Sequence, residues 1–348
     1  GNELSEIATK KGLDLLNKMN QIVKEIDNTR FTTCGVNLLI AVYYKFGIGV
    51  YKDKKQYEEK PLKDLKNGYK EKKNGSSFFN AMMQYLGSLM FLMSKSKIAG
   101  KVAKEVSKRV DIIGLNYGTP RYKIDSKKYP NRMMYGSETM IKDIQVNYES
   151  SFKYPNVIGD FVWSGIDYLG EASSNDYRYY SYPGLPLLAG AGSIDFSYKK
   201  TAEMEYINTI WEKRIKPTIL LSPVDHYNET PFKSAWRFTN SVASYNFQGY
   251  KNKPCEIEIY SSAYKVKLMI NDKVIGIKKT KKCISKFKSK YQVGVIKAIA
   301  LDKYNNELQT SEMKSGKEIM FNVSISKKTL SISKGDIGII EMEFVDEN

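Results

Sequence analysis

Arg132–Glu138 reads RMMYGSE: an apolar pair, an aromatic, two small residues and then a carboxylate. It is too short for a helix and lacks the strict alternation of a half-exposed antiparallel strand. Val110–Tyr117 (VDIIGLNY) upstream and Val157–Gly165 (VIGDFVWSG) downstream have the same form, and so does the earlier Thr29–Asn37 (TRFTTCGVN). Short apolar runs separated by loops or helical segments are the rhythm of parallel strands covered on both faces by crossover helices. Each run closes on a conspicuous polar or aromatic side chain: Asn37, Asn116 with Tyr117, Glu138, and Trp163. In a (β/α)8 barrel the C-terminal strand ends carry the chemistry. The expected fold is therefore α/β, a partial TIM (β/α)8 barrel comprising strands five to eight, with the tripeptide Gly1-Asn2-Glu3 standing where the preceding strand would end.

Leu15, Met19, Ile22 and Ile26 recur at helical spacing on one face, which predicts a helix over 4–28 packed on something. Beyond Trp211 the pattern changes. Cys255–Tyr260 (CEIEIY) and Val266–Ile270 (VKLMI) alternate, Asn271-Asp272 makes a turn into Val274–Ile277, and Val293–Leu301 reads as another strand. These runs predict all-β structure, an immunoglobulin-like sandwich. Ile319–Ile325 and Ile337–Val345 begin a further sandwich. The expected domains are 1–215 for the barrel half, 216–317 for the sandwich and 318–348 for a truncated third.

With 348 residues and 42% hydrophobic content the chain can bury sizeable cores. The net charge of +17 is mostly lysine dispersed among acidic residues, as in Tyr51–Lys73, and no base-reading motif accompanies it, so no nucleic-acid partner is expected. The apolar run Phe78–Met93 is broken by Asn80, Gln84, Gly87 and Ser88, which suits a buried or lid helix within a long insertion at 38–109 and no membrane partner. Three scattered cysteines and the single His226, read as a loop residue, predict neither a disulfide framework nor a metal site. No basic leader precedes an apolar core at the start, and a cytoplasmic location is the expectation.

Glycosidic bonds are cleaved by two carboxyl groups, one giving a proton to the leaving oxygen and one attacking carbon or activating water. Glu3 and Glu138 both fall at the expected barrel rim. Alone each is weak, because a glutamate after a strand suits a helix N-terminus as well. Trp163 reads equally as a core aromatic or a platform for a sugar face, and Tyr117 as a carboxylate partner or a cap on the barrel.

Taken together, GNE before a helix, TRFTTCGVN, DIIGLNY, YPNRMMYGSET, VIGDFVWSGIDYLGEA and EIEIYSSAYKVKLMINDKVIG resemble glycoside hydrolase family 2, in particular its bacterial β-galactosidase-like members. The resemblance implies a C-terminal portion of such an enzyme, retaining and free of cofactors. It implies Glu138 as nucleophile and Glu3 as general acid/base. Asn2 would contact the sugar 2-hydroxyl, Tyr117 would hydrogen-bond the nucleophile, and Trp163 would lie beside the sugar. Asn116 and Asp167 fall in matching segments and are carried as further substrate contacts. The implied partner is a β-galactoside or related oligosaccharide, and homo-oligomerisation is left open.

The family's N-terminal sandwich, immunoglobulin-like domain and first barrel half are missing from these residues, so the chain alone is expected to be inactive. A β-glucuronidase would carry an Asn-x-Lys clamp after the eighth strand, and no such triplet occurs between Trp163 and Trp211. β-Mannosidase-like specificity and a noncatalytic carbohydrate-binding role stay open at this point.

Overall fold

The computed structural model describes residues 2–45, 92–170, 188–231 and 235–348. Most of the apolar run 78–93 and the lysine-rich 51–73 lie outside the described residues. Two compact units emerge: residues 1–212 with 229–240, and 213–228 with 241–348. The units divide after residue 212, with one return of the chain. Residues 229–240 leave the second unit and pack with the first.

The first unit holds a four-stranded parallel sheet in sequential order: β1 (Thr33–Asn37), β2 (Ile112–Asn116), β3 (Met134–Thr139) and β4 (Val157–Val162). Among the described residues its helices are α1 (Lys10–Ile26), α2 (Leu38–Lys45), α3 (Lys97–Val106), α4 (Thr119–Lys128), α5 (Ile144–Lys153) and α6 (Ala202–Trp211). One core binds sheet to helices, built from Val36, Ile113, Leu115 and Met134 of the strands and Leu16, Leu38, Ala103, Val106 and Tyr122 of the helices. This accounts for the near-continuous apolar strands, since burying a sheet face under helices leaves little room for polar side chains.

The sequence reading of the first helix needs correction. Residues 5–8 form a separate 3-10 turn before α1, and Leu15, Met19, Ile22 and Ile26 are exposed, while Gly12 and Leu16 are buried. Gly12 supplies the reason. A Cβ there would collide with the Glu6 carbonyl, so only glycine lets the helix seat this closely on the turn, and the Gly12 and Leu16 face turns inward with it.

The second unit contains two antiparallel sheets. One is ordered β5 (Thr218–Leu221), β6 (Pro254–Tyr260), β9 (Ile284–Lys290). The other is ordered β11 (Glu307–Lys314), β10 (Val295–Leu301), β7 (Lys265–Ile270), β8 (Lys273–Lys279). Alternate residues of both sheets, including Ile257, Ile259 and Phe287 from the first and Val266, Leu268 and Ile296 from the second, meet in one core. A separate hairpin of β12 (Met320–Ile325) and β13 (Ile340–Val345) follows, and every residue of β12 is exposed. His226 lies in a short turn of this unit, Val224–His226. No helix among the described residues is long and apolar enough to cross a membrane.

Candidate functional site

The strand ends of the parallel sheet converge on two carboxylates. Asn2 bridges in parallel to Gly35 of β1, and the Glu3 N–H donates to the Gly35 carbonyl at 3.0 Å, so residues 2–3 extend the sheet by one strand-like step. That step brings Glu3 level with the ends of β1 and β2. Glu3 and Tyr117 both adopt left-handed φ, 52° and 54°. Such backbone is uncommon in non-glycine residues and gathers where side chains must be aimed.

An amide ladder links the carboxylates. Asn116 Nδ2 donates to Glu3 Oε1 and to Asn2 Oδ1, both at 2.9 Å, while Asn2 Nδ2 donates to Glu138 Oε1 at 2.6 Å. Ser137 Oγ donates to Asn116 Oδ1 at 2.5 Å, which fixes the amide's orientation. Glycine makes the space. Gly35 and Gly114 face each other in register on β1 and β2, and a Cβ on Gly35 would strike Asn2 Oδ1, while one on Gly114 would lie 2.7 Å from Ser137 Oγ.

Asn37 joins the last position of β1 to the first turn of α2. Its Oδ1 accepts from the N–H groups of Leu39 (3.1 Å) and Ile40 (3.3 Å), capping the helix, and its Nδ2 donates to Glu3 Oε1 at 2.9 Å. On the other side Tyr117 donates its hydroxyl proton to Glu138 Oε2 at 2.9 Å, and the Trp236 indole Nε1–H donates to the Tyr117 oxygen at 3.0 Å.

These contacts set opposing influences on Glu138. Burial raises its carboxyl above the usual range, the Glu3 charge adds to this, and the hydrogen bonds from Asn2, Tyr117 and Asn116 pull the other way. The Tyr117 phenol is held well above its ordinary value, first by burial and then by the Glu138 charge, so it stays protonated and remains a donor.

Beneath the site, Thr139 at the end of β3 donates to Asp160 Oδ2 at 2.8 Å, and its carbonyl accepts the Trp163 N–H at 3.0 Å. Trp163 is half-buried and packs edge-on against Tyr168, with ring centroids 5.7 Å apart. Asp167 is buried, and its Oδ1 accepts backbone N–H groups of Tyr168 (3.0 Å) and Gly190 (2.9 Å), so that oxygen is occupied in tying a loop.

Of the residues singled out in the sequence, Asn2, Glu3, Asn116, Tyr117 and Glu138 form one hydrogen-bonded group, Trp163 is tied to its edge through Thr139, and Asp167 serves its own loop. Asn37 stood out at a strand end without a role. Ser137, beside Glu138 in GSE, and Trp236 were not read from the sequence. Tryptophan's rarity, three in the chain, was the one available signal for Trp236.

The geometry can be set beside known structures. Over 100% of its length the chain matches a glycosyl hydrolase family 2 member from Bacteroides cellulosilyticus, with a TM-score of 0.70 and 22% identity over 38% of that chain. The fold is that of glycosyl hydrolase family 2. A family 2 member from Bacteroides cellulosilyticus DSM 14838 matches likewise, with a TM-score of 0.67, 21% identity, all of this chain and 37% of that one. The chain thus spans less than two thirds of the length of either family 2 structure. Residues 252–309, within the two-sheet unit, match a family model described as a domain of unknown function, DUF4982. No curated protein matches the sequence.

Proposed function

We propose that this chain carries both catalytic carboxylates of a retaining β-glycosidase acting on β-galactosides. The observation that carries the reading is the Glu3–Asn116–Asn2–Glu138 ladder, two carboxylates bridged by amides at the strand ends of a parallel sheet. In double displacement Glu138 attacks the anomeric carbon as Glu3 protonates the departing oxygen, giving a covalent glycosyl-enzyme. Glu3 then takes a proton from water, which attacks the same carbon and releases Glu138. The attacking carboxylate must be ionised. Donation from Asn2, Tyr117 and Asn116 favours that state, opposing burial and the neighbouring charge that hold the carboxyl above its ordinary range. In this reading Asn2 meets a sugar hydroxyl, Trp163 offers a flat apolar surface to the sugar, and Asn116 orders Glu3 directly and Glu138 through Asn2. The chemistry of these groups needs no metal or redox cofactor.

In this reading the four-stranded sheet is the later half of a (β/α)8 barrel and the two-sheet unit is an immunoglobulin-like sandwich, with 318–348 opening a further domain. The exposed stripe Leu15, Met19, Ile22 and Ile26 then belongs against barrel elements beyond these residues. The 348 residues alone would be inactive, since a barrel closes only with eight strands. The lack of an Asn-x-Lys triplet between Trp163 and Trp211 favours a neutral sugar over a glucuronide.

The test is hydrolysis of nitrophenyl β-galactoside, β-glucoside, β-glucuronide and β-mannoside by the complete protein, with Glu138→Gln and Glu3→Gln beside it. Turnover of the galactoside that is lost in both variants supports the reading. Preference for the glucuronide or mannoside would replace the sugar, and turnover by Glu138→Gln at the wild-type rate would remove the nucleophile.

A further inference from the structure

Residues 229–240 belong to the first unit although the chain on both sides of them belongs to the second. What holds the segment is specific. The Arg237 guanidinium donates from Nε to the Gly190 carbonyl at 2.6 Å, from Nη2 to the Gly192 carbonyl at 3.2 Å, and from Nη1 to Glu203 Oε2 at 2.9 Å. Glu203, on α6, is 1% exposed. Phe238 packs edge-on against Tyr206 of the same helix, centroids 5.1 Å apart. Between the Arg237 anchor and the sheet, the Trp236 ring stands edge-on to Tyr117 at 81° and 6.2 Å, is 8% exposed, and aims Nε1 at the phenolic oxygen.

The chemistry of the indole gives this contact a direction. Trp Nε1–H can only donate, whereas a phenol can donate one proton and accept. With Trp236 donating, the Tyr117 oxygen must accept there, and its single proton is left for the carboxylate it also touches. We propose that Trp236 is a positioning residue of the site: it commits the Tyr117 proton to Glu138 and so fixes the polarity of the relay Trp236 to Tyr117 to Glu138. This inference rests on the proposed role of Glu138 as nucleophile. A phenol that accepts a hydrogen bond is a stronger donor, because successive hydrogen bonds polarise one another. Removing the indole N–H leaves the phenolic oxygen free to turn its proton elsewhere, and Glu138 loses part of what keeps it ionised.

The experiment uses the complete protein with Trp236→Phe, Tyr117→Phe and the double variant, assayed on nitrophenyl β-galactoside across pH. A parallel carbon-13 titration follows the Glu138 carboxyl, whose signal is the one missing from Glu138→Gln. Trp236→Phe is expected to lower kcat/KM by roughly 3–10-fold, the worth of one hydrogen bond, and to move both its acid limb and the Glu138 titration to higher pH. The double variant should be no slower than Tyr117→Phe, because the indole acts only through the phenol. Trp236→His, which keeps a ring N–H, should recover part of the loss. If Trp236→Phe does not fold, 3-benzothienylalanine at position 236 keeps the indole's shape without the N–H and must give the same shifts. An unmoved Glu138 titration, or effects of the two single variants that multiply, would overturn the proposal. A shifted titration in a protein whose wild type cleaves none of the aryl glycosides would leave the relay standing and remove the catalytic reading.

Discussion

The Asn37 amide donates to the Glu3 carboxylate over 2.9 Å while its carbonyl oxygen caps α2. One side chain thereby ties the aim of a candidate acid/base to the start of a helix. The two duties separate by substitution. Asn37→Ser retains a capping oxygen and loses the amide nitrogen that reaches Glu3, so stability should change little while kcat/KM falls about tenfold, the cost of a hydrogen bond to a charged group at the low end of its range. Asn37→Ala loses both and should add about 1 kcal/mol of destabilisation from the missing cap. Chemical denaturation beside steady-state kinetics on the preferred aryl glycoside reads the two effects separately. Equal loss of activity and stability in the serine variant would mean that Asn37 serves only the helix.

Gly35 and Gly114 give the second prediction. They lie opposite each other on β1 and β2, beneath the amide ladder. A methyl on Gly35 meets Asn2 Oδ1 and stands 2.9 Å from Asn116 Oδ1; one on Gly114 stands 2.9 Å from the Cys34 carbonyl as well as near Ser137. Overpacking of this kind costs about 1–3 kcal/mol. Gly35→Ala is expected to lose disproportionately more activity than Gly114→Ala at similar thermal midpoints, because it displaces the amide that donates to Glu138. Crystal structures of the two variants would show whether Asn2 has moved.

Much of this organisation was legible in the sequence because its causes are local. The runs ending in Asn37, Asn116, Glu138 and Trp163 read as parallel strands because each is short and apolar between helical segments; β1 and β2 are largely buried, while β4 leaves Ile158 and Phe161 exposed. The strand bounds are tighter than read, with β1 beginning at Thr33 instead of Thr29. In the two-sheet unit, the strands Cys255–Tyr260 and Val266–Ile270 were visible through alternation. β9 (ISKFKSK) and β11 (ELQTSEMK) were not, because sheet-edge strands carry lysine and polar residues where central ones carry valine and isoleucine. The second packing face of α1, Gly12 with Leu16, was not read because it depends on the close approach of Glu6 to Gly12, which periodicity does not encode. Trp236 lay beyond reach for a related reason: its contact with Tyr117 spans 119 positions.

The Glu203–Arg237 pair supports a third prediction. With Glu203 1% and Arg237 14% exposed, removing one partner strands the other charge in a dry setting. Arg237→Met is expected to destabilise the protein by about 3–5 kcal/mol. It should also free the segment carrying Trp236, so the tryptophan emission would shift to longer wavelength before global unfolding. The double variant Glu203→Gln with Arg237→Met should recover much of the stability, since no unpaired charge then remains buried. A single-variant loss no larger than that of an exposed pair, under about 1 kcal/mol, would show the pair to be solvated.

Glu138 itself yields the last prediction, through the dependence of stability on pH. Burial and the Glu3 charge raise its carboxyl above the ordinary range, and burial does the same to Asp160 beneath it. A group whose folded pKa lies above its unfolded value binds its proton more readily in the folded state. Its contribution to stability is fully present below the unfolded value, about 4.3 for glutamate and 3.9 for aspartate, and is lost as pH rises through the folded pKa. Near neutrality both carboxylates therefore oppose folding. Glu138→Gln removes the ionisable group while leaving an oxygen to accept from Asn2 or Tyr117, so this variant should melt higher than wild type at pH 7. Its advantage should shrink as the solution is acidified and vanish below about pH 4. Asp160→Asn, which keeps one oxygen to accept from Thr139 and Asn147, should behave alike, and the site would show the familiar exchange of stability for reactivity. Melting curves of the three proteins from pH 4 to pH 8 decide it: an advantage of Glu138→Gln that persisted unchanged at pH 4 would place its origin in packing and leave the carboxyl's ionisation without a part in it.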